Sequence, residues 1–194
     1  MDLSFKKINK VGLFLIILFF IGLVYILLPG PSSINDFSPL SDSVKSQLEG
    51  DTIQNPNIAA YFSDFRRVYI TKYYQDMFAS KLFLGIKIPP IRLNHPPEEA
   101  YRYVRDQQES TFLEEYVFPL RESLFVNGYE PFIENEIFHA PHSPYGDRVE
   151  YKQNWYLSKT TLRFYPSNIF FRLFVYLGIW VGCYLLYKLS KKAI

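Results

Sequence analysis

Two long apolar runs frame a mixed central segment, and their lengths decide the first elements. Residues 11–28 (VGLFLIILFFIGLVYILL) carry no charge, and residues 169–187 (IFFRLFVYLGIWVGCYLLY) carry one, Arg172. A helix needs about 20 apolar residues to cross a hydrocarbon core, and a lone spanning segment must satisfy its own backbone hydrogen bonds, which a helix does. Transmembrane helices are therefore expected over 11–28 and 169–187. A cleaved signal peptide is the alternative for the first run. That run exceeds the usual signal-peptide core of about 7–15 apolar residues, and it ends in Pro29-Gly30-Pro31 with no small-x-small site, so an uncleaved signal-anchor is the better reading. The alternative for the second is a buried core helix. Such a helix in a small soluble domain shows a polar stripe, whereas residues 173–187 are apolar on every face.

The patterning between the runs is less regular. Residues 29–56 are rich in Pro, Ser, Asp and Gly and read as a flexible linker. A folded domain is expected over 57–165. Ile58, Tyr61, Phe62, Phe65, Tyr69, Tyr73 and Met77 recur at three- and four-residue spacing, which predicts a helix over 58–78. A short strand is expected over 82–88. Pro89-Pro90 and Pro96-Pro97 bracket an extended stretch, 91–94. A second helix is expected from Pro97, continuing through Leu113, Tyr116, Val117, Leu120 and Leu124, with a kink at Pro119. Asn127-Gly128 reads as its C-terminal signal. Strands follow at 132–138, at 148–158, where Val149, Tyr151, Trp155 and Leu157 share a face, and around Leu162 and Phe164. The fold class is thus an extracytoplasmic α+β domain, helices followed by a small antiparallel sheet, between two transmembrane α-helices.

Charge supplies the orientation. The first ten residues hold three lysines and one aspartate, and the last seven hold Lys188, Lys191 and Lys192 with no acid. Lysine-rich flanks stay cytoplasmic. This makes 1–10 a cytoplasmic N-terminal tail, 188–194 a cytoplasmic basic tail, and the location a multi-pass cell-membrane protein. The segment between the runs carries 14 Lys and Arg against 18 Asp and Glu. A net negative domain repels phosphate backbones, so no nucleic-acid partner is expected. The single cysteine, Cys183, falls inside the second run, leaving the domain without a disulfide.

Candidate chemistry is sparse. His139 and His142, with Asp147 nearby, could ligate a divalent metal. Pro141 between the histidines keeps them off one face of a regular helix, so a polar hairpin loop is the competing reading. Glu98-Glu99 and Glu114-Glu115 read as solvated helix surface rather than opposed catalytic acids. There is no GxSxG nucleophile elbow and no glycine-rich phosphate loop, and no cofactor is expected. In the second run, Gly178 and Gly182 form a GxxxG that permits close helix packing. Arg172 lies one turn inside and reads as an interfacial anchor, its stem snorkelling to the headgroups.

The function expected is therefore non-enzymatic. Besides the lipid bilayer, the partners are a membrane or envelope protein or a second copy, bound through the outward domain in interaction or envelope assembly. Two alternatives are a membrane-tethered metal-dependent enzyme acting on envelope material through His139 and His142, and an accessory subunit of a transporter or secretion complex.

Overall fold

The computed structural model describes residues 10–49, 51, 57–80, 87–95, 112–129 and 148–193. The chain divides into two units. One joins the two ends of the chain, Met1–Pro29 and Ser167–Ile194; the other is Gly30–Pro166.

The terminal unit holds α1 (Lys10–Leu27) and α3 (Ile169–Ala193). Both are long and apolar enough to cross a membrane, and only 6% of the apolar window of either is buried. A core helix of a soluble protein hides such a surface; these two expose it. Asn168 caps α3, its Oδ1 accepting the Phe170 amide at 2.8 Å.

The central unit is a six-stranded antiparallel sheet in the order β1-β2-β8-β5-β4-β3. Its strands are β1 (Val44–Lys45), β2 (Ile58–Ser63), β3 (Ile91–His95), β4 (Phe112–Val117), β5 (Ser123–Tyr129) and β8 (Ser158–Tyr165). A separate hairpin, β6 (Val149–Tyr151) and β7 (Asn154–Tyr156), packs on β2 by stacking Tyr151 against Phe62 at 4.3 Å. Helix α2 (Arg67–Ser80) covers one sheet face through Ile70, Tyr74 and Phe78. The α+β class stands, with one apolar helix before the sheet in the chain and one after it; the internal order differs from the expectation.

The helix expected from Ile58 is a strand to Ser63 and becomes helix only at Arg67. All six residues of β2 are buried. A strand covered on both faces loses its alternation, and its apolar run then mimics helical spacing. Within α2 the buried residues are Ile70, Thr71, Tyr74, Phe78 and Ala79, and the three large apolar ones sit one position away from the Tyr69, Tyr73, Met77 stripe, of which Tyr69 is 53% exposed.

The run from Phe112 to Gly128 is likewise no helix but a hairpin, β4 and β5, in register from Phe112↔Gly128 to Val117↔Ser123. Pro119 and Leu120 make its turn, closed by Arg121 N–H to the Phe118 carbonyl at 2.9 Å. Leu120 takes φ 61°, where glycine is the usual occupant. Asn127-Gly128 consequently ends no helix. Gly128 sits where a Cβ would lie 2.4 Å from the Lys159 carbonyl and 2.8 Å from the Phe112 ring, so close strand approach accounts for it.

The single strand expected over 148–158 folds back at Lys152 and Gln153, with φ of 51° and 63°, the paired positive values of a tight hairpin turn. The expected linker 29–56 is also built into the domain over much of its length. Ile34, Phe37 and Leu40 are each at most 3% exposed, and the Phe37 ring packs on Phe164 at 5.3 Å and Phe78 at 6.1 Å. Three well-spaced apolar residues among polar ones suffice to dock a segment that its Ser and Pro content makes look loose. The expected 91–94 extension is strand β3. The expected strands 82–88 and 132–138 and the helix from Pro97 fall wholly or largely outside the described residues.

Candidate functional site

Within the terminal unit, α1 and α3 meet at an aromatic seam. The Phe19 ring lies 5.7 Å from Tyr176 and 5.4 Å from Trp180, and the Tyr176 hydroxyl donates to the Phe19 carbonyl at 2.6 Å. Gly22 makes the room: a Cβ there would be 2.5 Å from the Tyr176 hydroxyl. Gly178 and Gly182 have nothing within 4 Å of where a Cβ would stand. They sit two positions from Tyr176 and Trp180, about 200° round the helix, so they take no part in this seam. Arg172 folds back on the helix start, Nε donating to Ser167 Oγ at 2.5 Å and Nη2 to its carbonyl at 2.9 Å.

In the central unit the notable charge is Glu114. Strand alternation sends Glu114 and Glu115 to opposite sheet faces, which corrects their reading as solvated helix surface. Glu114 is 1% exposed. Its Oε1 accepts Arg92 at 2.7 Å and Arg67 at 3.3 Å. The Tyr116 hydroxyl lies 2.7 Å from Glu114 Oε2 and 2.8 Å from the Thr71 carbonyl, sharing one proton between two acceptors. Burial first, then the neighbouring carboxylate, push the Tyr116 phenol well above its ordinary value. The hydrogen bond to Glu114 raises Arg92 in turn. Arg67 also donates to Asn94 Oδ1 at 2.8 Å and lies over the Phe112 ring at 5.3 Å. Thus α2, β3 and β4 are tied by one buried carboxylate.

A cleft of about 450 Å³ opens above it, lined by Arg67, Val68, Thr71, Lys72, Gln75, Asp76, Arg92 and Glu114. Three cations face two carboxylates there. The Arg67 and Arg92 side chains are 34% and 49% exposed, so both reach solvent while holding Glu114.

The opposite face of β3 mixes two apolar residues with an ion pair. Ile91 is 52% and Leu93 43% exposed. His95 pairs with Glu115 at 3.3 Å and stacks on Phe125. Among the described residues β3 pairs with β4 alone.

A second charged group, Ser46, Asp51 and Lys159, is structural: Asp51 accepts Ser46 at 2.5 Å and Lys159 at 2.9 Å, and Ser46 is 1% exposed, out of reach of a substrate. The metal candidates His139, His142 and Asp147 lie outside the described residues. Among the described residues no three His, Cys, Asp or Glu side chains are grouped to hold a metal. The sequence assigns no role to Gly22, Tyr176, Arg67 or Arg92, and its helical reading puts Glu114 on a solvated surface. FLEEYV, an acidic pair between two apolar pairs, sends one carboxylate to each face when read as a strand, and that was the available signal for Glu114.

No family model, curated protein or solved structure matches this chain.

Proposed function

We propose that this is a two-span membrane protein that presents its sheet domain outside the cytoplasm as a docking module for another membrane or envelope protein. One observation carries the reading. Two helices with exposed apolar surfaces flank the domain, joined to it by Leu28-Pro29 on one side and Pro166-Ser167-Asn168 on the other. Anchors this short hold a domain at the bilayer surface, where partners in the same membrane are concentrated. The lysines at both chain ends favour the outward orientation.

Two measurements test it. The full chain should resist carbonate extraction. In a Cys183→Ser background, an impermeant maleimide should label Val68→Cys from outside the cell and spare Lys191→Cys. The reverse labelling pattern would sink the orientation. Purification in mild detergent with crosslinking should then recover a stoichiometric protein partner; a strictly monomeric chain would sink the docking role.

The open Gly178 and Gly182 surface favours a second reading, in which a partner helix packs against α3 within the bilayer, as in an accessory subunit of a larger complex. Gly178→Leu with Gly182→Leu should then release the partner while the outward domain stays folded.

A further inference from the structure

Strand β8 is an inner strand, paired with β2 on one side and β5 on the other. Its side chains alternate between the two sheet faces. Leu162 and Phe164 are at most 1% exposed, and Phe164 packs on Phe37. Lys159, Thr161, Arg163 and Tyr165 belong to the opposite face. There Arg163 stands between Ile58 of β2 and Phe125 of β5. It is half-buried, and its Nε is enclosed without a hydrogen-bond partner. Among the described residues its guanidinium forms no ion pair.

The neighbouring charges on this face have partners. Lys159 holds Asp51 at 2.9 Å, and His95 holds Glu115 at 3.3 Å. Glu115 shares a row with Arg163, but Phe125 stands between them, which puts them two strand spacings, about 10 Å, apart. Arg67, Arg92 and Arg121 each hold a carboxylate; Arg163, beside Ile58 and Phe125, holds none. A partly desolvated cation without a counter-charge costs stability. It also attracts an anion strongly, because water screens it less. A guanidinium takes oxyanions through two parallel N–H donors.

Position along the chain selects the oxyanion. Tyr165, on the same face two residues on, is 49% exposed and packs edge-on against Phe125 at 5.3 Å. Tyrosines next to a span favour the headgroup level. Only Pro166-Ser167-Asn168 then precede α3. From Arg163 to Ile169 the chain reaches at most about 20 Å, and headgroups fill about the first 5–8 Å beyond the hydrocarbon.

We propose that Arg163 binds the phosphate of a phospholipid headgroup, its terminal nitrogens donating to the phosphate oxygens and Tyr165 flanking them. This rests on the two-span reading above and not on the docking role. It gives the domain a lipid contact of its own, separate from the two helices.

The test is thermal unfolding of the full chain, delipidated in dodecyl maltoside, with and without added phosphatidylglycerol. Lipid should raise the Tm of the unaltered chain through linkage to binding. Arg163→Met should lose at least about tenfold in lipid affinity and most of that rise. Its Tm without lipid should stay equal or go up, because the variant buries no charge. Arg163→Lys, which keeps the charge without the planar fork, should fall between the two. Lys188, Lys191 and Lys192 also attract anionic lipid, but equally in every chain, so the difference isolates position 163.

An equal lipid-induced rise in the unaltered chain and Arg163→Met, or an Arg163→Met chain less stable without lipid, would overturn the proposal. A rise of the same size from inorganic phosphate at equal concentration would do so too, marking a site for the free ion. So would a partner protein whose capture needs Arg163 while lipid gives no rise. Carbonate stripping the chain from membranes would remove the two-span reading and this inference together. A chain that stays in the membrane with no Arg163-dependent rise removes this inference alone.

Discussion

The Glu114 cluster makes an asymmetric prediction about stability. The carboxylate is 1% exposed, whereas its arginines are 34% and 49% exposed. Removing the acid frees two cations that can rehydrate where they stand. Tyr116 keeps the Thr71 carbonyl at 2.8 Å, so no buried donor is orphaned. Glu114→Leu should therefore cost only about 1 kcal/mol, near the value of a solvent-screened pair. Removing the cations is different. Arg67→Leu with Arg92→Leu leaves a buried carboxylate with Tyr116 as its one partner in the cluster. An unpaired buried charge costs about 3–5 kcal/mol, and the Tyr116 hydrogen bond offsets about 1 of that. Losing the Arg67 contacts with Asn94 and Phe112 adds about 1 kcal/mol. The double variant should fall by about 3–5 kcal/mol in all. Adding Glu114→Leu to it should restore about 2–3 kcal/mol, because the residue then left is apolar. The assay is guanidinium unfolding of the full chain in detergent micelles, followed by near-ultraviolet circular dichroism. A triple variant no more stable than the double, or a Glu114→Leu cost equal to that of the arginine pair, would refute the reasoning.

Other expectations follow from single contacts. Gly22→Val should force Tyr176 away from Phe19, since even a Cβ meets its hydroxyl at 2.5 Å; in a Trp155→Phe background, the fluorescence of Trp180 should shift as its aromatic neighbours move. Gly30→Ala places a Cβ 1.8 Å from Glu122 Oε1, beside an Arg121–Glu122 pair whose side chains are both fully buried; overpacking there should cost about 2–3 kcal/mol or more, read as a lowered Tm. Burial raises Tyr61, Tyr74 and Tyr116 above the ordinary 10.0; the folded state then favours the neutral phenols, so stability is intact below about pH 10 and lost above it, by up to about 1.4 kcal/mol per pH unit for each tyrosine. Tyrosinate absorbance from these three should appear only with alkaline unfolding; if replacing Tyr61, Tyr74 and Tyr116 by Phe leaves the absorbance that accompanies the unfolding transition unchanged, the reasoning is contradicted.

Legibility along the chain tracks how a segment is buried. The helices α1 and α3 were readable from length and composition because every face of each is apolar. The face of α2 was misplaced by one position because its aromatics outnumber its core contacts: Tyr69 and Tyr73 add to the stripe, yet Tyr69 is exposed and the Tyr73 hydroxyl bonds outward to the Pro39 carbonyl at 3.2 Å. The inner strands failed for the opposite reason. Ala59 and Ala60 of β2 favour helix by propensity, but both are buried and pair with Leu162 and Thr161 of β8, where the sheet register decides. Tertiary pairing overrode local preference there.

The charged site was hidden by the same misreading of period. Once residues 112–117 are a strand, a two-residue repeat puts Glu114 beside Phe112 and Tyr116, which are 1% and 0% exposed, and forces a buried carboxylate. A buried carboxylate in turn requires cations. Arg92 lies opposite Tyr116 in the β3 register, and Arg67 opens α2 next to the same cleft. The two arginines thus have a structural duty for as long as a carboxylate stands at position 114. Lys72 bears no such duty: it is exposed, and Glu114 is satisfied without it. Its charge is therefore free of the duty that fixes the two arginines.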